Sequence, residues 1–87
     1  MSDSDLIIPT AWDVDGDSIV TRYTFASFAA AMDFMARAAV RIDELDHHPE
    51  WSNVYDRVDV RLSSHDVGSV TERDVALAHV LDEVAGR

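Results

Sequence analysis

The most constraining feature of the sequence is a long run of apolar residues spaced three and four apart between Ser27 and Pro49. This spacing predicts an amphipathic helix of about five turns. Ser27 can cap its start, and the helix must stop near His48 because a proline disfavours helical torsion angles in the residue before it. The apolar stripe consists of Phe28, Ala31, Met32, Met35, Ala38, Ala39, Ile42 and Leu45. A helix with this stripe needs a second layer of structure to cover it.

Alternation of apolar and polar residues predicts that this second layer is a β-sheet. Residues 12–14 and 19–25 flank Asp15-Gly16, a pair that tolerates the positive φ angles of a tight turn, and they are predicted to form a hairpin. Valine and leucine then alternate with polar residues over residues 54–62. This clean period of two favours one further strand over a helix.

A second helix is predicted after Thr71-Glu72-Arg73-Asp74, which resembles a capping box with aspartate in place of the usual glutamate. Its apolar stripe is Leu77, Ala78, Leu81, Val84 and Ala85, and it ends at Gly86. The order strand, strand, helix, strand, helix predicts an α+β fold: a short antiparallel sheet with two helices packed on one face. Residues 11–87 are assigned to this single domain, and residues 1–10 to a flexible N-terminal arm.

Composition narrows the classes of function. The 87 residues include no cysteine, which excludes disulfides, thiolate metal sites and cysteine nucleophiles. The formal net charge of −10 repels phosphate groups, so nucleic acids and anionic membranes are not expected partners. Without a membrane span or a signal peptide in the sequence, the expected location is the cytoplasm.

Histidines are the main candidates for chemistry. His47 and His48 lie at the end of the first predicted helix, and His65 follows the third predicted strand. Imidazole exchanges protons near neutral pH, so a catalytic site is one interpretation. Surface or helix-capping histidines are another, and a three-histidine metal site is a third, although adjacent helical residues point about 100° apart. His79 stands alone beside the second stripe and is interpreted as a surface or interface residue.

One long motif resembles the signature of the pterin-4a-carbinolamine dehydratase family. It comprises residues 46–55 (DHHPEWSNVY), then Val58, Leu62, residues 64–66 (SHD) and residues 71–74 (TERD), with upstream matches at Trp12, Arg22, Tyr23, Phe25, Phe28, Ala31, Phe34 and Met35. The resemblance extends over nearly all of residues 12–84. It implies dehydration of a 4a-hydroxytetrahydropterin to a quinonoid dihydropterin during tetrahydrobiopterin recycling, with no metal and no organic cofactor.

The resemblance also implies roles for single residues. His47 and His65 are the acid and base candidates, and His48 helps to bind and orient the pterin. The substrate-binding residues implied are His47, His48, Pro49, Trp51, Ser64, His65, Asp66 and Val67. Asp74 is given an orienting role besides helix capping. Asp43 is also given an orienting role; it stands where the family has glutamate and is one methylene shorter.

The sequence departs from the family pattern in other places, and it leaves alternative functions open. The family usually has an opening helix before the residue that matches Trp12, a threonine in place of Ser64, and Gly-Gly where this chain has Gly68-Ser69. A homodimer or homotetramer is expected by resemblance. The chain is alternatively an inactive or weakly active assembly module that uses the stripe of the second helix as its partner surface, or an oligomer with a vestigial pocket.

Overall fold

A computed structural model describes residues 6–87, and residues 1–5 of the predicted arm lie outside this part of the chain. The described elements are β1 (Asp13–Asp15), β2 (Ser18–Thr24), α1 (Phe28–Leu45), β3 (Glu50–Val54), β4 (Arg57–Leu62) and α2 (Glu72–Ala85). The strands form one antiparallel sheet in the order β1-β2-β4-β3. The α+β class is therefore confirmed.

The prediction of one strand over residues 54–62 is wrong, because the chain reverses direction inside that segment. Val54 pairs with Arg57 across a two-residue turn, so the observed order contains one more strand than predicted. Tyr55 adopts a positive φ of 53°, and the Asn53 side chain donates to the carbonyls of Tyr55 and Arg57 at 3.1 and 2.9 Å. A positive φ is uncommon for a bulky residue, and no glycine marks this turn in the sequence.

The hydrophobic core lies between one face of the sheet and both helices, as predicted. The buried apolar residues of the strands and helices are Ile19, Tyr23, Val58, Val60, Leu62, Ala31, Phe34, Ala38, Ile42, Leu77, Ala78 and Leu81. Leu77 and Leu81 have no exposed surface and Val84 is half-buried, so most of the stripe of α2 is core and is not available to a partner. The assembly-module hypothesis is therefore wrong in its choice of surface.

The helix ends place the residues that matter for function. Ser27 caps α1 as predicted, and the helix closes at Asp46, whose φ of 51° turns the chain out of the helix just before His47. The predicted capping box of α2 is present, with Thr71 as N-cap and Asp74 accepting from its backbone N–H. The end of α1 and the start of α2 thus lie close to the end of β4.

Asp82 of α2 joins the helix to the first hairpin. The indole N–H of Trp12 donates to Asp82 at 3.1 Å, and the Tyr23 hydroxyl donates to it at 2.6 Å. Arg87 pairs with the same carboxylate at 2.9 Å and lies 4.2 Å above the Tyr23 ring. Ile8, within the predicted arm, packs against the core beside this hairpin. No helix within residues 6–87 is long and apolar enough to cross a membrane.

Candidate active site

Asp74 is the centre of the candidate site. It lies in the first turn of α2 and is completely buried. Its Oδ1 lies 2.6 Å from His47 Nε2, and its Oδ2 accepts from the Ser64 hydroxyl at 2.8 Å and from the Thr71 backbone N–H at 2.9 Å. Three donors therefore compensate the cost of burying this carboxylate.

The hydrogen bonds around Asp74 run in one direction. An ionised carboxylate only accepts, so the single Ser64 proton is used on Asp74. The Thr71 hydroxyl, 2.7 Å from that of Ser64, must then donate to it. On the other side, a neutral His47 must carry its proton on Nε2 to bond Asp74. Its Nδ1 is left as the proton acceptor.

His47 is itself largely enclosed. Its side chain is 13% exposed, whereas Asp74 shows no surface. The αL turn at Asp46 brings the ring from the end of α1 to the start of α2. A buried carboxylate that holds one imidazole nitrogen is the arrangement that fixes a histidine tautomer and stabilises its charged form in general-base sites.

His48 occupies a more open position. Its Nε2 lies 3.1 Å from Asp43 Oδ1, and both side chains are mostly exposed. Asp43 thus contacts His48 despite its shorter side chain, although an exposed pair of this kind contributes at most about 1 kcal/mol.

His65 also faces solvent. Its side chain is 73% exposed, and its Nε2 lies 3.7 Å from Glu50 Oε1, beyond hydrogen-bonding distance. Glu50 begins β3 and follows His47, His48 and Pro49 closely along the chain. This contact brings the His65 loop to the segment that carries the histidine pair.

The loop after β4 is closed by its own backbone. The Ser64 N–H donates to the Ser69 carbonyl at 3.0 Å, and the Ser64 carbonyl accepts from Gly68 at 2.9 Å. Gly68 has a φ of 67°, which glycine adopts without strain. The loop presents His65 and Val67 to solvent while Ser64 has no exposed surface. Ser64 therefore faces the carboxylate network instead of an open pocket.

Asp66 ties this loop to α2. Its carboxylate lies 2.6 Å from the Arg73 guanidinium, and that hydrogen bond holds the pKa of Asp66 below its usual value. A positive charge on His47 would also lower the pKa of Asp66, so His47 lies within electrostatic range of the loop. Asp66 thus joins the loop that carries His65 to the first turn of α2.

The remaining predicted binding residues, Pro49 and Trp51, lie just before β3 and within it. Pro49 is half-buried between the histidine pair and β3. Trp51 is half-buried, and its ring centroid lies 6.5 Å from that of Phe34, so its indole is part of the core contact. The contacts of Glu50 with His65 and of Thr71 with Ser64 are not predicted from the sequence. The sequence placed Glu50 near the histidine pair and Thr71 in a helix cap, but their contacts depend on the packing of distant segments.

A separate depression of about 620 Å³ lies on the helix-free face of the sheet. It contains no histidine, and Glu50 is its nearest approach to the candidate site. Arg22 pairs with Asp59 there at 2.6 Å, and Arg61 pairs with Asp15 at 2.7 Å. Its arginines are therefore already neutralised. Within residues 6–87, no three histidine or acidic side chains are grouped closely enough to hold a metal ion.

Comparison with known proteins finds related sequences and structures. The profile of the family described as "Pterin 4 alpha carbinolamine dehydratase" matches residues 3–84. A Burkholderia pseudomallei (strain 1710b) protein with a provisional pterin-4-alpha-carbinolamine dehydratase name is 54% identical over 68 residues, which are 78% of this chain and 67% of that protein. A Bordetella avium (strain 197N) protein with the same provisional name is 56% identical over 66 residues, 76% of this chain and 61% of that protein.

Solved structures share the fold. The crystal structure of a transcriptional coactivator/pterin dehydratase from Brucella melitensis superposes with a TM-score of 0.84 at 44% identity, covering 88% of this chain and 84% of that one. A pterin dehydratase-like protein identified as a RuBisCO assembly factor in the alpha-carboxysome superposes with a TM-score of 0.72 at 22% identity, covering 86% and 87%. At that identity the second likeness extends to the fold alone.

Proposed function

Because the chain belongs to the pterin-4a-carbinolamine dehydratase family, we propose that it dehydrates 4a-hydroxytetrahydropterins to quinonoid dihydropterins. The observation that carries the proposal is the buried Asp74–His47 pair, together with the exposed His65 on the loop whose Ser64 hydroxyl bonds Asp74. It provides one imidazole with a fixed proton position and a second one that exchanges protons with solvent.

The reaction requires two proton transfers and no change of oxidation state. The C4a–O bond breaks and the N5–H bond breaks, a C4a=N5 double bond forms, and the hydroxyl leaves as water after it receives a proton. One group must therefore take the N5 proton while another supplies a proton to the hydroxyl. Imidazoles near neutral pH perform both tasks, so the proposal needs neither a metal nor an organic cofactor.

His47 is the proposed base. With Nε2–H donated to Asp74, its Nδ1 is free to accept the N5 proton, and the adjacent carboxylate stabilises the imidazolium that forms. Asp74 thus acts as an orienting residue that does not contact the substrate.

His65 is the proposed acid. Its exposure allows it to regain a proton from solvent after each turnover, and its Nε2 lies 3.7 Å from the Glu50 carboxylate. His48, which contacts Asp43, binds and orients the pterin. Pro49, Asp66 and Val67 are close neighbours of these histidines along the chain and would contact the ring.

The test is the rate at which purified protein consumes 4a-hydroxytetrahydrobiopterin, followed by absorbance. His47→Ala and His65→Ala should each lower kcat by about 10²–10⁴-fold, the usual contribution of general acid or base catalysis. His79→Ala is the matched control, because His79 is exposed on α2 and separate from the network. Full activity in both site variants would contradict the proposal.

We also propose that the chain works as a homodimer or homotetramer. A domain of this size buries a modest share of its surface, and β3 has an unpaired edge in the described sheet. Light scattering after gel filtration would report the mass, and a monomer at micromolar concentration would contradict this part of the proposal.

A further inference from the structure

Ser64 precedes His65, but its side chain lies inside the domain. It has no exposed surface, and its hydroxyl joins Thr71 to Asp74. We infer that Ser64 is a positioning residue of the dehydratase: its hydroxyl holds the Asp74 carboxylate so that His47 keeps a single tautomer. This inference rests on the proposed function of His47.

The first step of the argument is the freedom of the carboxylate. A carboxylate can rotate about its Cβ–Cγ bond unless both oxygens are held. Oδ2 of Asp74 is held by the Ser64 hydroxyl at 2.8 Å and the Thr71 N–H at 2.9 Å, which leaves Oδ1 directed at His47. Removing the hydroxyl leaves one donor on Oδ2 and deprives the Thr71 hydroxyl of its acceptor. The carboxylate then gains orientations that do not face His47.

The second step is the position of Ser64 in the fold. It lies just beyond the end of β4, Asp74 lies at the start of α2, and His47 follows α1. One hydroxyl therefore links the segments that carry His47 and His65. Because the two imidazoles must act on the same ring, a change in their relative position should lower kcat more than it raises KM.

The experiment compares Ser64→Ala with Ser64→Thr, which keeps the hydroxyl, and with Ser63→Ala as the matched control on the neighbouring serine. Ser64→Ala should lower kcat by about 10–100-fold and change KM by less than about 2-fold. Ser64→Thr should recover most of kcat, and Ser63→Ala should behave as wild type. If Ser64→Ala does not fold, Ser64→Cys carries the same prediction, because it has similar volume and a much weaker donor.

A second readout does not depend on turnover. Nitrogen-15 NMR of the imidazoles distinguishes a neutral histidine protonated on Nε2 from one protonated on Nδ1. We expect His47 to be protonated on Nε2 in the wild type and to show a mixture of tautomers in Ser64→Ala. Unchanged kcat in Ser64→Ala, or a loss of kcat with the tautomer preserved, overturns the inference. If the wild type has no dehydratase activity, the proposed function fails, and the tautomer shift alone decides the role of Ser64.

Discussion

Replacing Asp74 with asparagine keeps the shape of the side chain and exchanges one acceptor oxygen for an amide donor. Oδ2 receives the Ser64 hydroxyl and the Thr71 N–H, so the remaining oxygen of asparagine must stay there. The new NH₂ then takes the place of Oδ1, which lies only 2.6 Å from His47 Nε2. Two donors cannot share this contact, so His47 must move its proton to Nδ1, and the proposed base loses its acceptor.

The expected cost to stability is moderate. Hydrogen bonds to a charged group are worth about 1.5–3 kcal/mol and those to a neutral group about 1 kcal/mol, so losing the charge while keeping the geometry should cost about 1–3 kcal/mol. That corresponds to a Tm lower by about 4–8 °C per kcal/mol for a domain of this size. The variant should remain folded at 25 °C if the parent has an ordinary stability of about 5 kcal/mol or more.

The expected cost to catalysis is much larger. Placing the proton on the wrong nitrogen of a general base should lower kcat by about 10²–10⁴-fold, and asparagine in place of the triad aspartate of serine proteases lowers it by about 10⁴-fold. The assay is turnover of 4a-hydroxytetrahydrobiopterin beside a denaturation curve for each variant. Asp33→Asn is the control, because Asp33 forms an exposed pair with Arg37 that should be worth less than about 1 kcal/mol. Wild-type kcat in a folded Asp74→Asn protein would refute the reasoning.

Three further predictions concern stability. Burial, then the hydrogen bond to Asp82, raises the pKa of Tyr23 above its ordinary value of 10.0. Because the unfolded chain loses this proton first, the stabilisation is complete below about pH 10 and is lost as pH rises further. The free energy of unfolding in urea should therefore be lower at about pH 11 than at about pH 9, and Tyr23→Phe should reduce this decrease while the exposed-site control Tyr55→Phe should not. An equal decrease in Tyr23→Phe would contradict this. Leu77→Ala, at a fully buried position, should cost about 2–5 kcal/mol by chemical denaturation, and a loss below about 1 kcal/mol would show that α2 is not packed as described. Gly86→Ala should cost about 1 kcal/mol, because Gly86 has a φ of 79°, and a neutral result would indicate a different end to α2.

The parts of the fold that follow from local chemistry could be predicted from the sequence. Ser27, Thr71 and Gly86 mark helix ends through side-chain capping and through the free φ of glycine, and the structure has the helices within one residue of those signals. The first hairpin follows from Asp15-Gly16 for the same reason. The turn after Val54 could not be predicted, because Tyr55 reverses the chain while the apolar–polar alternation continues through it.

The candidate site divides in a similar way. The motif identified the histidines and Asp74, because their spacing along the chain is itself the signal. The inward orientation of Ser64 and the contact of His65 with Glu50 depend on how β4, α2 and the segment after α1 pack together. A sequence read along one strand gives the face of a residue, but it does not give the partner that another element brings to it.

The most direct test of the central claim is the position of a bound pterin. A crystal structure with a dihydropterin should place the ring between His47 and His65, with N5 within hydrogen-bonding distance of His47 Nδ1 and the 4a carbon on the side of His65. A ring bound instead on the helix-free face of the sheet, against Arg22 and Arg61, would contradict the account.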